Sequence, residues 1–184
     1  IPDAVAGRVA TLRQEQAHRD LVNEWNDLKL RVMPPHVTTD EIVNRPDVLR
    51  AVIPGGGGTM NARAIARHYA MFAGFGELDG VRILSPHRVE IVRTLQTDDL
   101  DIVADARIRK GMGYFLGGEE AIGGASAMGR SGKEFGHSGN GGSLGFADPE
   151  RNFSFGLTKN LMKAAPDATK GTAYVVAELI RENL

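Results

Sequence analysis

The chain has no cysteine among its 184 residues. Disulfide stapling and thiolate chemistry are therefore excluded for it, and cysteine usage says nothing of the redox compartment. It also lacks charge of one sign: 22 Lys and Arg stand against 23 Asp and Glu, a formal net charge of −1. Such a balance sets up no long-range field toward nucleic acid or an anionic membrane, and neither is expected as a partner. No apolar stretch approaches the roughly 18 residues that a membrane span needs, and there is no internal repeat or low-complexity tract. The first residues, Ile1-Pro2-Asp3, are neither an initiator Met nor a signal peptide. The expectation is a chain that begins inside a longer gene product, with any targeting signal upstream and the compartment left open.

What remains is the composition of one globular domain of ordinary size, 42% hydrophobic and 24% charged, long enough to bury a core without staples. Glycine is in excess. There are 23, and thirteen of them fall between Gly111 and Gly145, where the backbone must turn sharply or approach something closely.

Hydrophobic periodicity divides the chain. Pro2 suits a first helical turn, with Val5, Ala6, Val9 and Leu12 on one face. From Glu15 to Val52 the pattern is broken by Pro34-Pro35 and Asn44-Arg45-Pro46, so helices there are expected to be short, and Trp25 reads as a core or interface anchor. Pro54 to Gly58 reads as a loop. Ala62, Ile65, Ala66, Tyr69, Phe72 and Ala73 follow the i, i+3, i+4, i+7 spacing of a helix, with Thr59 or Asn61 as cap and Gly74 and Gly76 as stop. Ser85-Pro86 caps a second helix with Val89, Val92 and Leu95 turned inward. After Gly111 the period changes to two. Tyr114 and Leu116 suggest one strand. Leu144 with Phe146, and Phe153, Phe155 and Leu157, suggest two more, joined as a hairpin by Asp148-Pro149-Glu150-Arg151-Asn152. Ala173, Val176, Ala177, Ile180 and Leu184 form the stripe of a closing helix, the natural cover for the apolar face of Phe153–Thr158. The expected class is α+β, with a mainly helical region over residues 1–110, then about three antiparallel strands and a C-terminal helix over 111–184.

The segment with the chemistry runs Phe135-Gly-His137-Ser138-Gly139-Asn140-Gly141-Gly142-Ser-Leu-Gly-Phe146. Glycines let a strand edge lie against a ligand with its N–H groups aimed at a carbonyl oxygen, and an imidazole and a hydroxyl beside it could steer protons or hold an anion. On spacing alone, a glycine-rich turn carrying one exposed His is the favoured account, because a lone His beside Gly is a weak signal.

His137-Ser138-Gly139-Asn140-Gly141-Gly142, followed by Leu144 to Glu150, resembles the third motif of the serine β-lactamase and penicillin-binding superfamily, written there as Lys-Thr-Gly or His-x-Gly. Phe155-Gly-Leu-Thr-Lys-Asn160 is similar to a strand ending of class C β-lactamases and related family VIII carboxylesterases. Pro54 to Thr59 leading into the Ala62–Ala73 helix, and Gly76 to Pro86, resemble two further segments of that family. The four stand in the family's order, which makes the combination far more specific than any one of them. The resemblance implies a β-lactamase/transpeptidase-like fold of which this chain is the C-terminal half. It also implies a serine hydrolase acting on small esters or amides, with esterase ahead of β-lactamase because His replaces Lys. Carried over, His137 takes the basic position and Ser138 adds a hydroxyl. Gly139 keeps the edge clear, the Asn140 backbone N–H donates to the oxyanion, and Gly141 and Asn160 border the substrate.

The family's first two motifs are missing from this chain. None of its serines has Lys three residues on, and Tyr69, Tyr114 and Tyr174 lack Asn or Ser two residues on. The chain alone is therefore expected to be inactive. Its partner would be the rest of the same protein or, because Phe153–Thr158 would present an unpaired edge, a second copy. A non-catalytic binding or scaffolding protein that retained the fold is the alternative, and the upstream reading frame separates the two. No cofactor or metal is called for. The histidines His18, His36, His68 and His87 have no metal-ligand spacing, and His68 sits off the helix stripe as a solvated side chain. Gly55 to Gly58 lacks the ending of a phosphate loop, and Asp98, Asp99 and Asp101 read as a solvated acidic loop.

Overall fold

The computed structural model describes residues 28, 30–32, 34, 40–121, 123–139, 141–160 and 170–183. Trp25, Asn140 and Leu184, and the helix expected after Pro2, lie outside them. The chain falls into two compact units, one taking the residues up to Gly58 with Asp101–Ala106, the other Thr59–Leu100 with Arg107 onward. This division, at Gly58 with Asp101–Ala106 returning to the first unit, is a different one from the boundary at residue 110 drawn from periodicity.

In the first unit the helices are short, as the prolines require. Helix α1 is Asp40–Val43 and α2 is Pro46–Arg50, with Pro46 in its first turn and Arg45 extended before it. The N–H groups of Gly56 and Gly57 both donate to the Ile53 carbonyl, at 3.1 and 2.7 Å, which closes the Pro54–Gly58 loop on itself.

The second unit holds the sheet. Helix α3 spans Ala62–Ala73, and its cap is Asn61, whose Oδ1 accepts from the Ala64 N–H at 2.9 Å. Strands β1 (Glu77–Leu78) and β2 (Val81–Arg82) form a hairpin. It turns at Asp79 and Gly80, with φ of 51° and 77°, the paired positive values of a two-residue hairpin. Helix α4, Pro86–Arg93, is capped by Ser85 Oγ on the Arg88 N–H. Val89 is fully buried and Val92 packs beside the core. Leu95 lies past the helix end and is exposed, a correction to its expected inward place: the helix stops at Thr94, whose hydroxyl bonds back to the Glu90 carbonyl at 2.7 Å. A small ribbon, β3 (Leu100–Asp101) with β4 (Ala106–Arg107), follows, and its Asp101–Ala106 part is counted with the first unit.

Among the described residues the main sheet has four antiparallel strands, one beyond the three that periodicity picks out, in the order β5 (Phe115–Leu116), β6 (Phe135–Ser138), β7 (Leu144–Asp148), β8 (Phe153–Leu157). The extra strand is β6, whose Gly-rich sequence hides its alternation. The β7–β8 hairpin turns where expected. Asp148 is buried, and its carboxylate accepts from the N–H groups of Glu150 and Arg151 and from the Arg151 guanidinium at 2.8 Å. A 3-10 helix, Gly123–Ala127, and helix α5, Thr172–Arg181, complete the unit.

Two apolar clusters hold the sheet from its two faces. One joins Tyr69, Phe72, Val89 and Leu116 to Phe135 and Ala147; the other joins Met128, Leu144, Phe146 and Phe155 to Ala177 of α5. Period-two alternation assigns the faces. Leu144, Phe146, Phe153, Phe155 and Leu157 point toward α5, as the closing helix's stripe requires, while Gly145, Ala147, Ser154 and Gly156 point toward α3. Gly145 and Gly156 are directly opposed. A Cβ on Gly145 would lie 2.3 Å from the Tyr69 ring, and one on Gly156 would lie 2.5 Å from the Ala62 carbonyl oxygen. Glycine here admits a helix, not a ligand. Burying each large side chain of these clusters contributes about 1.5–3 kcal/mol.

Candidate functional site

His137 and Ser138 are the last two residues of β6. They pair with Gly145 and Leu144 of β7, whereas β5 reaches only to Gly136, opposite Phe115. On the side away from β7, the β6 edge from His137 onward is uncovered by any strand among the described residues. The chain then turns tightly. The Gly139 N–H donates to the Ser143 carbonyl at 2.8 Å and the Gly142 N–H to the Gly139 carbonyl at 3.2 Å. Gly141 and Gly142 have φ of 81° and 97°, values that a side chain would oppose. The turn thus needs its glycines for its own shape. It also uses the Gly139 N–H internally, and Asn140, the expected oxyanion donor, lies outside the described residues.

The His137 ring has two restraints. Its Nδ1 lies 2.6 Å from the Ser138 carbonyl oxygen. A carbonyl can only accept, so Nδ1 carries the proton, and in the neutral ring Nε2 keeps a lone pair. The ring also stacks on Phe115, with centroids 4.3 Å and planes 24° apart. Behind the strand stands Tyr69 of α3. Burial pushes its phenol well above the ordinary tyrosine range, Tyr114 adds to this, and the backbone of His137 pulls the other way. Helix α3 therefore backs the motif strand directly. Asn160 follows β8 as an exposed residue beside Lys159, whose side chain runs past Gly142 so closely that a Cβ there would meet Cε and Nζ at 2.8 Å. The β8 end and the 139–143 turn thus lie side by side, with Asn160 at their margin.

His68 is exposed, as expected, and its ring also has partners: Nε2 stands 3.3 Å from the Tyr114 hydroxyl, and the ring meets Tyr69 and Phe72 edge-on. Asp98 is less solvated than expected, being ion-paired with Arg107 at 2.9 Å. Phe115 went unrecognised in the sequence. The only signal for it is its place in an aromatic strand facing a glycine, and pairing register is needed to see that.

A depression lined by Arg130, Glu134, Arg151, Glu178 and Arg181 opens at the other end of the sheet, by the β7–β8 turn. Its charges are already engaged. Arg151 pairs with Asp148 and Arg181 with Glu178 at 2.7 Å and the Ala127 carbonyl, while buried Glu134 accepts from the Ser131 and Gly132 N–H groups. Arg181 ties α5 to the 3-10 helix through the Ala127 carbonyl, and none of the residues expected at the site lines this depression.

A family model described as Beta-lactamase matches residues 2–179. The chain belongs to the beta-lactamase family. Among curated relatives, the esterase/beta-lactamase LipL of Mycobacterium tuberculosis (strain ATCC 25618 / H37Rv) is 33% identical over 136 residues, 73% of this chain and 30% of LipL. Among solved structures, a family VIII carboxylesterase is 30% identical with a TM-score of 0.53, over 63% of this chain and 30% of that one. A penicillin-binding protein homologue from Caulobacter crescentus is 27% identical with a TM-score of 0.55, over 64% and 30%. EstA from Arthrobacter nitroguajacolicus Rue61a is 25% identical with a TM-score of 0.52, over 66% and 31%. The fold is therefore β-lactamase/transpeptidase-like and partial: this beta-lactamase family chain spans about a third or less of the length of the relatives it matches.

Proposed function

We propose that this chain is the part of a serine hydrolase that presents His137-Ser138-Gly139 to a small ester or amide, with the Ser-x-x-Lys nucleophile lying outside the chain. The observation that carries the reading is the β6 edge, uncovered from His137 onward, with an imidazole at that point whose Nδ1 is engaged at 2.6 Å by Ser138. With Nδ1 occupied, Nε2 is the working atom. Neutral, it accepts a hydrogen bond or a proton; charged, it offers a cation to a substrate carboxylate. The Ser138 hydroxyl extends the proton network. Gly139 leaves the edge free for the acyl group, the Asn140 N–H stabilises the developing oxyanion, and Gly141 and Asn160 flank the substrate. His stands at the 137 position where the family's third motif is also written with Lys, and by analogy that replacement goes with its esterases. We accordingly place esterase ahead of β-lactamase, and the names of LipL and the family VIII carboxylesterase agree with that order.

The test compares nitrophenyl-ester and cephalosporin turnover by the complete protein and its His137→Ala variant. The expected outcome is faster ester turnover, reduced in the variant by about 10²–10⁴-fold, the usual range for a lost acid–base group. This chain by itself should turn over neither substrate. Faster turnover of the lactam would reverse the order, and undiminished ester hydrolysis in the variant would remove His137 from the site.

A further inference from the structure

We propose that Phe115 is a positioning residue for His137: its ring fixes the plane of the imidazole so that Nδ1 meets the Ser138 carbonyl and Nε2 faces the open edge of β6. The inference rests on the reading of His137 given above. Phe115 itself is given no contact with the substrate.

Three observations converge. The rings are nearly parallel, 24° apart with centroids at 4.3 Å, a stacked pair in direct contact. An imidazole on an exposed strand end has two free torsions. The Nδ1 hydrogen bond at 2.6 Å restrains one end of the ring, and the stack restrains its plane, so together they leave one orientation. Finally, Phe115 is itself held. It pairs with Gly136 on one side and bridges to Lys110 on the other. Gly136 carries no side chain to compete for the space in front of it, and none would fit: a Cβ there would lie 2.1 Å from the Gly145 carbonyl oxygen. An aromatic opposite a glycine in a strand pair covers the gap the glycine leaves, and here the ring extends past Gly136 onto the next residue, His137. Part of the Phe115 side chain also packs on the α5-side cluster, so the stacking partner is anchored in the core. The glycine at 136 makes room for the β7 backbone at Gly145 and Phe146, and it leaves the Phe115 ring no side chain of its strand partner to contend with.

The experiment labels the histidines of the complete protein with ¹³C at Cε1, assigns His137 by its loss in His137→Ala, and compares Phe115→Leu with Phe115→Tyr. In the parent protein the His137 ring protons should resonate upfield, within the Phe115 ring current. In Phe115→Leu that displacement should vanish and kcat for the nitrophenyl ester should fall about tenfold with KM little changed, since misorientation by a fraction of an ångström is felt mainly in the transition state. Phe115→Tyr should keep the displacement and hold kcat within about threefold. An unshifted His137 resonance in the parent would overturn the proposal, as would equal losses in the Leu and Tyr variants. Failure of the reading of His137 has a different mark: His137→Ala would leave ester turnover intact, and the ring-current result would still decide whether Phe115 orients the imidazole.

Discussion

His68 and His137 carry the same ring in opposite settings. His137 stands at a strand end with one nitrogen spoken for. His68 lies on α3 with its edge against Tyr69 and Phe72 and its Nε2 beside the Tyr114 hydroxyl. Burial lowers its affinity for a proton below that of an ordinary histidine, because the charged ring loses water that the aromatic neighbours do not replace. The consequence for stability has a definite sign. When the folded value is depressed, the unfolded chain takes up the proton first, so the His68 contribution is full above the ordinary histidine range near 6.5 and is lost as pH falls below it. Urea unfolding of the protein and of His68→Gln across that window is expected to give a shallower loss of stability on acidification in the variant. Parallel curves would mean that the ring is hydrated more than its aromatic contacts imply. The phenol of Tyr114, likewise pushed up by burial, stays neutral throughout that range and so contributes no slope of its own.

At the scale of elements, the contact of α3 with the sheet decides more of the fold than any other. It depends on two glycines that lie opposite one another, Gly145 and Gly156. At Gly156 an added Cβ would meet the Ala62 carbonyl oxygen at 2.5 Å and the Ala66 nitrogen at 2.7 Å. Both are helix backbone and cannot rotate away. Gly156→Ala should therefore lift α3 off β8 and cost about 1–3 kcal/mol, the usual range for overpacking, read as a lower denaturation midpoint. Gly113→Ala is the control: that glycine has φ of 80° but open space around it, so only the conformational cost of about 1–2 kcal/mol applies and helix–sheet packing is untouched. Equal near-UV aromatic spectra for the two variants would contradict the argument. The same contact shows what sequence could and could not convey. The caps at Asn61 and Ser85, the stop at Gly74, the Asp148 turn and the alternation of Phe153, Phe155 and Leu157 are local signals, and each was legible. The β1–β2 hairpin is not among the expected elements: Asp79-Gly80 is a hairpin dipeptide, but its two-residue strands give no alternation to notice. The glycines were not. A chain position occupied by hydrogen looks the same whether a helix, a substrate or a positive φ requires it, and only register separates Gly136, Gly145 and Gly156, which make room for packing, from Gly141 and Gly142, which bend the chain. For the candidate site, the motif residues were readable as a string, while the Phe115 stack depended on a pairing between residues twenty-one positions apart.

At the scale of the whole molecule, the sheet has an end strand with much to bury. Among the described residues β8 pairs only with β7, and its large side chains, Phe153, Phe155 and Leu157, are sealed on one face by α5. Its outer edge still presents backbone donors and acceptors in a strand without Lys, Pro or a bulge to discourage pairing, the devices by which edges are ordinarily blunted. Helix α5 adds Val175 and Leu179, both exposed and one turn apart on its outer side. With nearly balanced charge, −1 over 184 residues, there is little net repulsion to keep two such edges apart. We infer that this edge is occupied in solution by another strand, from a second copy of this chain or from the rest of the same protein. Native mass spectrometry of this chain at micromolar concentration should show a dimer or a retained fragment, and hydrogen exchange should show the β8 amides that point away from β7 protected in that species. In the complete protein those amides should be protected without dimerisation, because the covering strand is then internal. A strictly monomeric chain whose outer β8 amides exchange as fast as loop amides would mean that the edge is stable in water, and the case for a missing neighbour would fail with it.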